Sequence, residues 1–311
     1  MRPALRPGTT VLRRDPHHLQ LGTAPGRGYV LNDRPGLVQM LRLLDGVRDV
    51  ALLAHLVATE VPEFTDDPVA VIAELHGAGL LVDAGAWHER PDDVLRAEAR
   101  HLSAQGWAAD GVAQRLERRR GSYVEIVHDA GTTDIAAGVR ELLTRSGVRA
   151  SAEPVDRPTL VVVMATGVGA RSLVDALANE ELTHLLVQAQ QDGVEVGPLV
   201  VPGKTPCVRC ADLQRAEWDP HWLALLAQVE RPLADSERSA AAVSVLTCHA
   251  AAIETVSQLL VVIDSGAAAD HSTVVFIGPR ATDTETRTVD VHPACGCHVL
   301  GAFALTATMD T

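Results

Sequence analysis

Apolar positions change their period along this chain, and the changes mark out its parts. Through residues 7–32 the pattern is short and alternating. Thr9-Thr-Val-Leu-Arg13 comes first, then Leu19-Gln-Leu-Gly22 after Asp15-Pro16, then Tyr29-Val-Leu31 after Pro25-Gly-Arg-Gly28. Alternation bounded by Pro, Gly and Asp predicts three short strands. Helical spacing follows. Leu37, Met40, Leu41 and Leu44 recur up to Gly46, and Leu52, Leu53 and Leu56 lie in a second stretch from Val50 to Glu60. A third opens at Thr65-Asp-Asp-Pro68 and runs through Val69, Ile72, Leu75 and His76 to Gly79, with acid and proline where a helix start favours them. Leu80-Leu-Val-Asp83 reads as a closing strand. This order predicts a small winged-helix module over residues 1–86.

Residues 88–120 are charged, helical in pattern and end in Arg118-Arg-Arg120. They read as a helical linker, 87–121. Its arginines suit a solvated helix end better than an anion site, since positive charge there complements the helix dipole. From Ser122 strands and helices alternate. Tyr123-Val-Glu-Ile-Val127 and Thr183-His-Leu-Leu-Val-Gln188 flank the near-continuous apolar run Thr159-Leu-Val-Val-Val-Met164, with helices at 134–146 and 173–181. An uninterrupted apolar strand is one buried on both faces. The alternation predicts an α/β fold, a doubly wound Rossmann-like domain over residues 122–311. Further helices are expected at 213–229 and 240–263, and an antiparallel pair at 273–277 and 286–291.

Composition limits the function. The chain has 311 residues, 47% hydrophobic but only 3% aromatic, so its cores are built from Leu, Val and Ala. No apolar run approaches the eighteen or more residues needed to cross a bilayer, and Met1-Arg-Pro-Ala-Leu-Arg-Pro-Gly8 lacks the apolar stretch of a signal peptide. The expectation is a cytoplasmic protein without membrane contact. Net charge is −13, which argues against a nucleic-acid partner. Residues 66–80 also carry no Lys or Arg, against a DNA-reading helix. The charge is uneven. Residues 1–50 hold eight Arg against four Asp, a net of +4 that leaves −17 for the rest.

Cys207-Val-Arg-Cys210 and Cys295-Gly-Cys297 use four of the five cysteines. Two thiol pairs brought together by the fold make the tetrahedral sulfur cage that suits Zn²⁺. Pro206, Pro293 and Gly296 supply turns around them. The alternatives are local disulfides, which Cys-Gly-Cys would strain, or four buried thiols. A closed four-thiolate site leaves no open coordination position, so a structural role follows. Cys248 has His249 beside it, but neighbours on a helix point about 100° apart, and a buried thiol is the better reading. His292 and His298 flank the second pair as spare or supporting groups. A nucleotide-binding turn would need Gly-x-Gly-x-x-Gly. The corresponding stretch, Gly131-Thr-Thr-Asp-Ile-Ala136, keeps only Gly131, with Thr133 and Ala136 in place of the others and Asp134 facing any phosphate. Glu153 stands where a ribose-binding acid would. ATP is therefore not expected as a cofactor.

Gly197-Pro-Leu-Val-Val-Pro-Gly-Lys-Thr-Pro-Cys-Val-Arg-Cys210, followed by His292-Pro-Ala-Cys-Gly-Cys297, resembles the ThiF/MoeB-type, ubiquitin-activating-like proteins. More closely it resembles the ThiF-like proteins of clusters making thiazole/oxazole-modified peptides. Leu41-Arg-Leu-Leu-Asp-Gly46 and Leu75-His-Gly-Ala-Gly-Leu-Leu-Val-Asp83 extend the likeness to the N-terminal module. The resemblance implies a leader-peptide recognition element on a non-catalytic, zinc-bearing scaffold, a homodimer, with a YcaO-type cyclodehydratase as partner. A leader adding as a strand beside Tyr29, Val30 and Leu31 would pack on Val69, Ile72, Ala73 and His76, with Arg13, Arg14, Arg27 and Arg34 drawing an acidic leader. Those apolar residues also read equally well as the module's own core. In Ala165-Thr-Gly-Val-Gly-Ala-Arg171 the family's Mg²⁺-binding Asp is replaced by Thr166, while Arg171 remains. The alternatives are an active ATP-dependent adenylyltransferase and a DNA-binding regulator.

Overall fold

A computed structural model describes residues 1–23, 28–85, 93–154, 156–229, 243–266, 272–280 and 282–297. The chain divides into two compact units, Met1–Glu117 and Arg118–Thr311.

In the first unit, β2 (Val11–Asp15), β3 (His18–Leu21) and β4 (Tyr29–Asn32) form an antiparallel sheet in the order β2-β3-β4. Leu19, Leu21 and Leu31 point from it into a core shared with α1 (Leu37–Arg42), α2 (Val50–Glu60) and α3 (Pro68–Gly77). Capping explains the helix starts. Asp49 accepts from the Leu52 N–H and Asp67 from the Val69 N–H, each satisfying a donor that the first turn leaves orphaned. A strand that the apolar pattern does not reveal, β1 (Pro3–Leu5), pairs antiparallel with β5 (Leu81–Asp83). Gly46 lets the chain pass beneath that pair. Its φ is +79°, and a Cβ there would lie 2.2 Å from the Ala84 Cβ.

The expected linker consists of two helices, α4 (Asp93–Ala104) and α5 (Ala109–Gly121). Leu95, Ala99, Leu102, Val112 and Leu116 pack on Ala4, Val82 and Ala84, so buried surface ties this segment to the first unit.

The second unit is a mixed α/β layer structure. Its seven-stranded sheet runs β12-β11-β10-β9-β8-β6-β7. The strands β6 (Tyr123–His128), β7 (Arg149–Ser151), β8 (Leu160–Thr166) and β9 (His184–Gln190) are parallel. The strands β10 (Gly193–Val200), β11 (Ser272–Ile277) and β12 (Thr284–Val289) extend it antiparallel. β8 is buried on both faces, as its unbroken apolar run predicts. Leu160, Val162 and Met164 join one core, with Ile135, Val139 and Leu143 of α6 (Thr133–Arg145). Val161, Val163 and Ala165 join another, with Val174 and Leu177 of α7 (Arg171–Asn179).

The helix expected at 213–229 starts earlier and breaks in the middle. α8 (Val208–Trp218) and α9 (Trp222–Val229) are separated where Pro220 holds Asp219 extended. α10 (Val245–Ser265) is capped by Ser244 and ends at left-handed Gly266. Positions 240–242 of the expected helix lie outside the described residues. By length and composition α10 qualifies as a membrane span, which corrects the expectation that no segment does. Cys248, Ala251, Ala252, Val256, Leu259 and Ile263 nevertheless bury one face of it in the sheet's main core.

The arginine run is not a solvated helix end. Arg119 forks the Asp264 carboxylate at 2.7 and 2.6 Å, and Arg118 donates to the Asp264 carbonyl at 2.6 Å. The Arg119 side chain is only 4% exposed. Removing one partner of such a pair strands a buried charge. Asp264→Ala is therefore expected to cost about 3 kcal/mol in urea unfolding, where an exposed pair would cost under about 1 kcal/mol.

Candidate metal centre and free sheet edge

The first thiol pair sits on the start of α8. Cys207 is the N-cap residue, and the Cys210 N–H donates to its carbonyl at 3.0 Å. The second pair follows β12, where the Cys295 N–H closes a turn on the His292 carbonyl at 2.8 Å. Packing of Val274 and Val289 against Cys210 and Ala211 brings the two together. The Sγ atoms of Cys207, Cys210, Cys295 and Cys297 all lie within 4.8 Å of one another. Individual separations are 3.8 Å for 207–210, 3.5 Å for 207–295 and 3.5 Å for 210–297. A tetrahedral ion with metal–sulfur bonds of about 2.3 Å needs sulfur–sulfur edges of about 3.8 Å. All five cysteines are free thiols. Four clustered sulfurs thus fit a closed cation site.

His292 contributes a backbone N–H to the Cys210 sulfur at 3.4 Å, while its ring turns to Glu217 at 3.1 Å. It supports the cluster and is not a ligand. His298 lies outside the described residues. Sharing of protons sets the electrostatics of the free-thiol cluster. The Cys207 thiol, with the His292 N–H, holds Cys210 down to about 4. Cys207 is pushed up in return, and burial pushes Cys297 up to about 12. The sulfurs cannot all be negative without a cation between them.

The crevice where strand order reverses lies at the carboxyl ends of β6 and β8, the usual ligand position in such sheets. Here hydrogen bonds within the chain link its two sides. Asp129, which the glycine pattern does not single out, accepts from the Thr166 N–H at 2.6 Å, the Thr166 hydroxyl at 3.1 Å and the Thr132 hydroxyl at 3.0 Å. Gly131 packs on Thr166, and a Cβ there would lie 2.2 Å from its hydroxyl. Thr133 donates back to the Ala130 carbonyl, and Ala136 lies in the core. Asp134 is exposed on the first turn of α6. Arg171 is engaged elsewhere, forking Asp212 at 3.2 and 3.0 Å, and Asp212 also accepts the Trp222 indole N–H.

In the first unit β4 has β3 on one side and no strand on the other among the described residues. α3 runs alongside, antiparallel to it. Tyr29 meets Glu74 near the helix end at 3.3 Å, and Arg34 pairs with Asp66 before the helix start. Ala70 is one turn from Glu74 and shares its stripe. Leu31 and Ile72 are core residues, 3% and 4% exposed. Tyr29 is half-buried, and Val30, Val69, Ala73 and His76 are exposed. Arg13 pairs with Asp33 and Arg14 donates to Gln20, while Arg27 lies outside the described residues.

A bound metal replaces thiol protons, so uptake releases protons and tightens as pH rises. Titration with Co²⁺ between pH 6 and 8 is expected to give one equivalent of tetrahedral thiolate-bound metal, with affinity increasing at least tenfold per pH unit, roughly. Cys210→Ser should abolish it. A pH-independent uptake would rule out thiols as the ligands.

No known family profile matches the chain, and no curated protein does. Solved structures match it in fold. The heterocyclase TruD aligns at a TM-score of 0.67 with 19% identity, over 95% of this chain and 42% of its own. A heterocyclase in complex with substrate and cofactor aligns at 0.63 with 17% identity, over 95% and 39%. E. coli MccB with ATP aligns at 0.60 with 12% identity, over 96% and 100%. The chain therefore spans about two fifths of the length of those heterocyclases and nearly all of MccB, and it has the fold that these proteins share with it.

Proposed function

We propose that this chain is a non-catalytic, peptide-binding partner in the making of azole or azoline rings in ribosomal peptides. In this reading residues 1–86 are a winged-helix module that takes the leader of a precursor peptide. The second unit is a ThiF-like scaffold braced by Zn²⁺ on Cys207, Cys210, Cys295 and Cys297, and a YcaO-type enzyme performs the ATP-dependent cyclodehydration. Four thiolates favour a soft, tetrahedral ion, and a closed cage leaves no position for a substrate.

The observation that carries the reading is the free edge of β4 beside α3. An extended peptide adding there gains backbone hydrogen bonds, while its alternate side chains fall on opposite faces. One set meets Tyr29, Ala70 and Glu74. The other shares the outer face with Val30 and Leu12, which are 42% and 40% exposed. Leu31 and Ile72 then form the floor and not the contact surface, so Ile72→Glu would unfold the module instead of testing the site. The fold likeness to two heterocyclases supports the pathway. The carboxylate of Asp129, held at the crevice by Thr132 and Thr166, supports the scaffold reading over an adenylyltransferase, which needs donors for phosphates there.

Fluorescence polarisation with leader peptides of the short precursors encoded beside this chain's gene tests the groove. Val30→Asp and Ala70→Arg are each expected to weaken binding about tenfold or more, roughly 1.4 kcal/mol. Undiminished binding in both would put the site elsewhere. Calorimetry with Mg·ATP should show no binding, and a clear micromolar isotherm would instead support the adenylyltransferase.

A further inference from the structure

The groove between β4 and α3 runs out at Arg34 and Asp66, and at that end the first unit carries a second cleft, of about 550 Å³. Arg13, Asp33, Arg34, Gln39 and Arg42 line it. Three guanidinium groups face one carboxylate. Asp33 is taken by Arg13 at 2.5 Å, and its N–H is fixed to the His17 carbonyl at 2.7 Å. Arg34 spends one nitrogen on Asp66, but its Nε is buried without a hydrogen-bond partner among the described residues. Arg42, on the last turn of α1, is exposed and has no ion-pair partner among the described residues. A buried N–H left unpaired is costly, and arginine forks match planar carboxylates. The cleft thus has donors to spare and lies within residues 1–50, a stretch with a net charge of +4 in a chain of net charge −13.

We infer that this cleft is a specificity pocket for an Asp or Glu side chain of the bound peptide, placed just beyond the segment that pairs with β4. The inference rests on the peptide groove proposed above. The pocket sets where the peptide stops along the groove, because a carboxylate between Arg34 and Arg42 fixes strand register in a way that backbone bonds alone do not. It also makes binding dependent on salt, since the attraction is partly exposed.

Selection of a random twelve-residue peptide library by mRNA display on the full chain separates the outcomes. The expected consensus has alternating apolar positions and an acidic residue at one flank. Replacing that acid by Gln should weaken binding to the wild type about tenfold. Arg42→Glu should weaken the acidic peptide further and bind the peptide with Lys at that position better than the wild type does, a charge-reversal rescue that a misfolded variant cannot give. An apolar consensus lost in Val30→Asp but without an acidic position would overturn the pocket and leave the groove standing. No consensus, or one indifferent to Val30→Asp, would overturn both. Submillimolar binding of inorganic phosphate to the wild type and not to Arg42→Glu, with no acid preference among the peptides, would give the cleft to a free anion instead.

Discussion

Mutual repulsion among four sulfur atoms governs the antiparallel end of the large sheet. Cys207 and Cys210 belong to the first turn of α8, and Cys295 and Cys297 to the chain leaving β12, 85 or more residues later. Among the described residues a small apolar group, Ala211, Leu213, Val274 and Val289, packs beside them. That is little buried surface to fix a chain segment, and a cation at the centre of the thiols would supply the missing cohesion. The sheet extension that the cluster anchors is also what separates this unit from a plain parallel α/β layer.

At the parallel side of the sheet the same fold has a crevice with the position of a phosphate site. A carboxylate from the chain, Asp129, takes the hydrogen bonds of Thr132 and Thr166 there. Gly131 leaves the room that the Thr166 hydroxyl occupies. A conformationally free residue that lets a phosphate approach in one setting serves close packing in another. Hydrogen bonds within the chain cross the crevice at the parallel end of this sheet, four thiols cluster at its antiparallel end, and recognition is proposed for the small sheet of the first unit.

Much of this was legible in the residues. The run Leu160–Met164 announces a doubly buried strand, and the two cysteine pairs announce their cluster by spacing alone. What escaped has physical reasons. β1 is three residues long and finds its partner β5 across 76 residues, so no local period reveals it. Gly193, Gly197 and Pro198 dilute the pattern of β10. Asp129 looks like any polar residue after a strand until Thr166 is folded against it. Leu31 and Ile72 have the composition of a binding surface and the burial of a core, a distinction that only packing draws. The arginines at 118 and 119 look solvated because their partner, Asp264, is 145 residues away from the second of them.

The central claim is that a peptide adds to the edge of β4 and that nothing enters the crevice at Asp129. Hydrogen–deuterium exchange of the full chain, with and without a saturating leader peptide, tests both halves at once. The account predicts slowed exchange at residues 29–34 and along 66–76, with residues 129–136 and 164–168 unchanged. Protection confined to residues 129–136 and 164–168, with β4 and α3 indifferent to the peptide, would contradict it.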